Sequence, residues 1–139
     1  MKYFGNVKKL MVSAFIGISV TAMVAFASEP NDPWEVPEEY EKMKNPITSN
    51  SESLDIGKEL YAKHCKSCHG KFGEGDGSKA EELDTDCGDF TLEEFQSQSD
   101  GALFYKSKFG RDEMPEFKKK ISYDEDFWHL VNYLRALGE

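Results

Sequence analysis

The sequence predicts an all-α domain of about four to five helices. Apolar residues recur at a helical period near the end of the chain, at Phe127, Leu130, Val131, Leu134 and Leu137. Two Ser/Thr-x-x-Glu patterns, which commonly cap helix N-termini, start at Thr91 and Ser122. No stretch of the sequence alternates apolar and polar residues as a half-buried β-strand does. These three observations favour helices throughout the folded part of the chain.

Two helices are predicted before the first cysteine. A short one spans residues 38–44 and is ended by Pro46, because proline cannot donate the next helical hydrogen bond. The folded domain is expected to begin near Leu54, and residues 56–64 have helical spacing. Gly57 costs this helix about 1 kcal/mol relative to alanine, so we expect another helix to cross closely at that point.

A glycine-rich loop follows these helices. In residues 70–88 glycines alternate with charged residues, without the preceding strand and the Lys-Ser/Thr ending of a phosphate-binding loop. A further helix is predicted after the loop, because Thr91 and Glu94 form a capping box. Phe90 and Phe95 have the spacing of the hydrophobic pair that often brackets such a helix start.

The last two predicted helices lie near the end of the chain. Residues 100–108 contain an apolar cluster and are followed by Gly110, a residue type common just after a helix C-terminus. Ser122 and Glu125 form the second capping box, which begins the helix with apolar periodicity. Gly138 is the predicted end of that helix.

The N-terminal residues have the pattern of an export signal. An apolar run from Leu10 to Ala27 follows three lysines, Lys2, Lys8 and Lys9. The run ends in Ala25-Phe26-Ala27, the small-x-small form of a signal-peptidase site. Residues 1–27 are therefore interpreted as a signal peptide, and the alternative is an uncleaved membrane anchor. Both interpretations predict an exported, periplasmic domain that is either soluble or tethered to the membrane.

The rest of the chain divides into two parts. Residues 28–53 are interpreted as a Pro/Glu-rich leader or linker, and residues 54–139 as the folded domain. Trp34 and Tyr40 are large aromatic side chains in the leader, and they are consistent with docking against the domain. A tether that holds the domain away from a membrane or partner fits the composition equally well.

The charge distribution argues against nucleic acid as a binding partner. The chain has a formal net charge of −9, and all 26 acidic residues lie after residue 27. Without residues 1–27 the chain has 14 basic and 26 acidic residues, a net charge of −12 with histidine neutral. Binding to a phosphate backbone requires a basic surface. We therefore expect protein partners that present a basic patch.

Cys65, Cys68 and His69 form a Cys-x-x-Cys-His motif, the attachment signature of haem c. Two thiols one helical turn apart can each add to a haem vinyl group, and the adjacent imidazole can then bind the iron. This attachment takes place outside the cytoplasm in bacteria, in agreement with the export signal. The sequence therefore predicts one covalently bound haem c, with His69 as an axial ligand.

Three other uses of this cysteine pair fit the sequence less well. A thioredoxin-like redox pair requires a βαβ context, which the helical pattern does not provide. A zinc site requires two further ligands at suitable spacing, and the remaining candidates are Cys87, His64 and His129. A structural disulfide does not call for the histidine, and three cysteines are an odd number for a disulfide framework.

A six-coordinate haem iron requires a second axial ligand. After export, the candidates are Met43, Met114, His64 and His129. His64 adjoins the cysteine motif on the proximal side, His129 lies in the last predicted helix, and Met43 lies in the leader. Pro115 biases Met114 towards an extended backbone that can present a thioether. On spacing alone, a core-filling methionine is an equally good interpretation of Met114.

These features together are similar to those of a known family. The Cys65–His69 motif and Met114-Pro115 occur in the order and spacing of class I (mitochondrial-type) c-type cytochromes, and the chain resembles their small bacterial monohaem members over about residues 54–138. Gly57 and Tyr61 match the residues that the family's first helix packs against its last. The answering positions of the last helix are Leu130, Tyr133 and Leu134.

The resemblance implies a small cytochrome c fold, in which helices wrap around one covalently bound haem, with Met114 opposite His69 as the second axial ligand. It implies a one-electron carrier, not an enzyme, in a periplasmic electron-transfer chain with redox proteins as partners. Two alternatives stay open. One is a haem-bearing electron-entry subunit bound permanently to a larger redox enzyme. The other is a haem enzyme or gas sensor with a labile sixth ligand.

Two features depart from the family pattern. Many members have a proline in the loop after the haem motif, where a backbone carbonyl accepts the imidazole N–H, but Gly77 is followed here by Ser78. Cys87 lies in a loop where the family has a small residue or proline. It is interpreted either as a redox-active or intermolecular thiol, or as a buried or tolerated one.

Overall fold

Six α-helices make up the helical framework of residues 33–139, the range that the computed structural model describes. They are α1 (Glu38–Glu41), α2 (Ser51–His64), α3 (Lys66–His69), α4 (Glu93–Gln96), α5 (Asp100–Phe109) and α6 (Asp124–Ala136). A 3₁₀ turn spans Ala80–Glu82, and the β-structure of this range is one isolated bridge between Arg111 and Met114. The all-α prediction is confirmed, although α1, α3 and α4 are single turns.

The predicted signal peptide or anchor, residues 1–27, lies outside the described residues. The beginning of the predicted leader, residues 28–32, lies outside them as well. Of the helices in residues 33–139, none is long and apolar enough to cross a membrane.

Helices α2 and α6 cross closely at Gly57, as the sequence predicts. A Cβ atom added at Gly57 would lie 2.2 Å from the carbonyl oxygen of His129 and 2.7 Å from Cβ of Tyr133. One turn later, the rings of Tyr61 and Tyr133 pack with their centroids 5.3 Å apart. Any side chain at Gly57 would push the two helices apart, which explains the glycine inside a helix.

Two apolar clusters hold the helices together, and α6 contributes to both. The larger cluster joins α5 to α6, and the Phe104 and Trp128 rings stack in it with centroids 4.3 Å apart. Its other buried members are Leu103, Phe117, Ile121, Phe127 and Val131. The smaller cluster joins α6 to α2 through Tyr61, Phe90, Leu130 and Leu134. Apolar residues recur at a helical period in α6 because the side chains of this helix pack into both clusters.

Residues 34–50 pack against the helices. The ring of Tyr40 packs against three aromatic rings of α5, those of Phe104, Tyr105 and Phe109. The nearest is Tyr105, with the ring centroids 4.9 Å apart. Asn45 donates a hydrogen bond from Nδ2 to the carbonyl oxygen of Trp128 at 3.0 Å. The segment and the helices therefore form one compact unit, and the boundary expected between residues 53 and 54 falls inside α2.

The two predicted capping boxes are wrong. Thr91 Oγ1 donates to Oδ1 of Asp89 at 2.6 Å instead of capping α4, which begins after Leu92. Local side-chain bonds of this kind compete with capping. Helix α6 begins after Tyr123, one residue beyond Ser122, and has no side-chain cap. The three acidic residues in its first turn stabilise that end through the helix dipole.

Two other helix starts have caps that were not predicted. Asn50 caps α2 by accepting the backbone N–H of Ser53 at 2.9 Å, so that this helix begins at Ser51, before the predicted range 56–64. Ser99 caps α5 in the same way, through the N–H of Ala102 at 3.0 Å. Helix α1 is shorter than expected and ends at Glu41.

Candidate haem site

A cavity of about 640 Å³ lies between the end of α2, α3 and the loop after α5. Its volume is within the range of about 300–1,000 Å³ that ligand and cofactor sites occupy. All four residues predicted to hold the haem line this cavity: Cys65, Cys68, His69 and Met114. The fold therefore brings together residues that lie in two distant parts of the sequence.

Backbone contacts hold the Cys-x-x-Cys-His motif from both sides. The N–H of Cys65 donates to the carbonyl oxygen of Tyr61 at 2.9 Å, and α3 then carries the rest of the motif as a single turn. The Tyr61 hydroxyl donates to the carbonyl oxygen of Gly70 at 2.8 Å, which fastens the end of the motif to α2. Gly77 packs so closely that an added Cβ would lie 2.4 Å from the carbonyl oxygen of Ser67.

The His69 imidazole lies at the cavity against Phe90, with the ring centroids 4.4 Å apart. Its Nδ1 is buried and has no hydrogen-bond partner among the described residues. Burial lowers the pKa of His69. The backbone of Cys87 has the opposite, smaller effect and raises the pKa of His69. It does not form a hydrogen bond with Nδ1. A neutral imidazole is the form that ligates a metal, so His69 fits an axial ligand of haem iron.

All three cysteines are unbridged and line the same cavity. Burial, with a smaller contribution from Cys68, raises the pKa of the Cys65 thiol to about 12. Burial also raises the pKa of Cys87, with smaller contributions from Cys68, Asp86 and Glu113. Cys65 and Cys87 are therefore neutral thiols at physiological pH. The presence of Cys87 beside the motif was not predicted from the sequence.

A tight turn of residues 110–115, here called the methionine turn, presents Met114 to the cavity. Arg111 and Met114 exchange two backbone hydrogen bonds of 2.9 Å each. Asp112 adopts a φ of 52°, in the left-handed region, as this tight reversal requires. Met114 also packs against the larger apolar cluster. The two hydrogen bonds set the shape of the turn, and the packing helps to hold the Met114 side chain at the cavity.

The other candidate ligands are placed differently. Met43 is 37% exposed and does not line the cavity. Nδ1 of His129 shares a 2.8 Å hydrogen bond with Oγ of Ser53. His64 lines the cavity beside Phe117, with ring centroids 5.7 Å apart, but it adjoins the motif on the proximal side. Of the four candidates, Met114 and His64 line the cavity, and Met114 comes from a part of the chain distant from the motif.

The cavity is also lined by residues that the sequence did not indicate as part of the site. Trp34 lines it, and the ring of Trp34 lies 5.4 Å from Nζ of Lys106 and 5.0 Å from the guanidinium carbon of Arg111. Burial lowers the pKa of Lys106, and the Glu41 carboxylate opposes this shift. Cations in the wall of a haem cavity can pair with the carboxylates that haem carries. The one feature of the sequence that could have indicated this contact is Trp34 itself, a large aromatic residue within a Pro/Glu-rich segment.

The sequence matches a known family over most of the folded part. The family model described as cytochrome c oxidase, cbb3-type, subunit III matches residues 52–134. The chain belongs to this family. It is a small all-α c-type cytochrome with a covalently bound haem c. No curated protein matches this cytochrome significantly in sequence.

Solved structures of other proteins resemble this cytochrome. A chain of the reducing HAO-like protein complex of Kuenenia stuttgartiensis matches with a TM-score of 0.61 at 28% identity, covering 68% of this chain and 47% of that one. This cytochrome thus spans about half the length of that chain. The c-type cytochrome KustC0563 matches with a TM-score of 0.52 at 32% identity, covering 60% and 98% respectively. Cytochrome cL of Methylophaga aminisulfidivorans shares the fold, with a TM-score of 0.53 at 20% identity, covering 76% and 71%.

Proposed function

We propose that this cytochrome is a one-electron carrier with His/Met axial ligation in a periplasmic electron-transfer chain. The observation that supports the proposal is the convergence of four side chains on one cavity: Cys65, Cys68, His69 and Met114. In this arrangement Cys65 and Cys68 bind the haem covalently, and His69 and Met114 hold the two axial positions. The bound haem supplies the one-electron couple, while the chain holds, orients and shields it.

Ligation by two side chains accounts for carrier function. With both axial positions held by the protein, no position is open to a substrate, and electron transfer requires no bond to be made or broken. A thioether opposite an imidazole also raises the reduction potential. The buried side chains of Phe90, Leu103 and Phe117 line the cavity and limit the access of water.

The partners of a free carrier would be redox proteins with a basic patch. The formal net charge of −9 supports this expectation, because complementary charge steers the encounter of two proteins. Interfaces of such electron carriers are small, below about 1,200 Å² in total, and therefore short-lived.

A second candidate function is that of an electron-entry subunit bound permanently to a larger redox enzyme. Two findings favour it: the family description names an oxidase subunit, and one structural neighbour belongs to a protein complex. Native electrophoresis of the protein from its own cells separates the two functions. Migration with a large partner would favour the subunit, and migration at its own size would favour the free carrier.

Met114→Ala should abolish the weak sulfur–Fe(III) charge-transfer band at the red end of the visible spectrum. It should also lower the reduction potential by roughly 100 mV or more, because axial ligands set haem potentials over a range of about 0.8 V. Absorption spectroscopy and a redox titration of the purified protein measure both effects. Met43→Ala is the matched control and should change neither property. A band that is absent from the wild type, or that survives Met114→Ala, would contradict His/Met ligation.

A further inference from the structure

Glu113, the residue before Met114, is hydrogen-bonded to residues 83–88, here called the Thr85 loop. Oε2 of Glu113 accepts the backbone N–H of Thr85 at 2.7 Å. The hydroxyl and the backbone N–H of Thr85, with a smaller contribution from the backbone of Asp84, lower the pKa of the Glu113 carboxyl. The carboxylate is exposed, so the hydrogen bond from Thr85 and not burial holds it in place.

The Thr85 loop also borders the proximal side of the cavity. Cys87 lines the cavity, and a backbone group of Cys87 lies near the His69 ring. Just beyond the loop, the N–H of Phe90 donates to the carbonyl oxygen of Gly73 at 2.7 Å, and Phe90 packs against His69. One loop therefore lies beside the proximal ligand and, through Glu113, is connected to the methionine turn.

The position of the methionine turn depends on what it is fastened to. The two backbone hydrogen bonds between Arg111 and Met114 set the shape of the turn, but they do not set its distance from His69. The bond from Thr85 to Glu113 connects the turn to the loop beside His69, one residue away from the sulfur that must reach the iron. A hydrogen bond from a backbone N–H to an ionised carboxylate is roughly twice as strong as one between neutral groups.

We propose that Glu113 is a positioning residue for the sixth ligand: it holds the methionine turn against the Thr85 loop and so keeps the Met114 sulfur on the iron. This inference rests on the proposed role of Met114. Loss of the Glu113 carboxylate should let the turn move away from the haem. Ligands that compete with Met114 should then bind more tightly, while haem attachment stays unchanged.

The test is a titration of the ferric holoprotein with imidazole, followed through loss of the sulfur–Fe(III) band. Glu113→Ala should raise the association constant of imidazole about tenfold, as expected for the loss of one charge-assisted hydrogen bond. Glu113→Gln keeps an acceptor for the Thr85 N–H and should give an intermediate constant. Glu116→Ala is the matched control, because Glu116 lies close by in sequence but pairs with Lys118 and Lys119. It should leave the constant at the wild-type value.

The outcomes distinguish this inference from the proposed function. If Met114→Ala abolishes the band but Glu113→Ala binds imidazole no better than wild type, the inference is overturned and His/Met ligation stands. An equal effect of Glu113→Ala and Glu116→Ala also overturns it, because loss of negative charge would then explain both. If the band survives Met114→Ala, both the inference and the proposed function fail.

Discussion

Replacing Cys65 and Cys68 together with serine should reduce the covalently bound haem from one per chain to none. Both thiols line the cavity, and a serine hydroxyl does not form the thioether that links haem to the chain. The intact mass of the purified variant should equal that of the polypeptide alone. Haem staining after denaturing electrophoresis should detect nothing at the position of the protein.

Cys87→Ser is the matched control for this experiment. Cys87 lines the same cavity but lies outside the Cys-x-x-Cys-His motif, so its loss should leave haem attachment at the wild-type level. Covalent haem on the double variant would contradict the assignment of Cys65 and Cys68. Loss of haem from Cys87→Ser alone would assign an attachment role to the third cysteine.

Gly57→Ala should lower the free energy of unfolding by about 2 kcal/mol. The new methyl group would lie 2.2 Å from the carbonyl oxygen of His129, a backbone atom that moves only if α6 moves. Because the neighbour is backbone, the cost of overpacking should lie at the upper end of the usual range, about 3 kcal/mol. The better helix propensity of alanine returns about 1 kcal/mol of this. Urea unfolding of the holoprotein, followed by far-ultraviolet circular dichroism, measures the difference.

Lys58→Ala provides the reference for the Gly57 experiment. Lys58 is exposed on the same helix, and its replacement should change stability by no more than about 0.5 kcal/mol. If Gly57→Ala were as stable as Lys58→Ala, the close crossing of α2 and α6 would be contradicted.

Features that depend on local spacing could be predicted from the sequence. Cys65, Cys68 and His69 lie within one helical turn, so their order alone places them together, and the structure has them on one cavity. The crossing at Gly57 was predictable because a glycine inside a helix carries a cost that close packing explains. Met114 could be proposed because a proline follows it, and the structure brings it to the same cavity.

Contacts between distant segments could not be predicted in this way. The packing of Trp34 at the cavity and the bond from Thr85 to Glu113 depend on loop conformations that no periodicity encodes. The capping box at Thr91 failed for a related reason. The Thr91 hydroxyl donates to the nearby carboxylate of Asp89. The pattern of residue types does not show whether a hydroxyl will bond to such a side chain or cap the helix.

Carbon monoxide binding to the reduced protein tests most directly whether side chains hold both axial positions. With His69 and Met114 on the iron, the Soret spectrum of the reduced protein at neutral pH should stay unchanged under carbon monoxide. A shifted Soret band would show that the sixth position is open or labile. That result would contradict a closed electron carrier and would favour a haem enzyme or gas sensor.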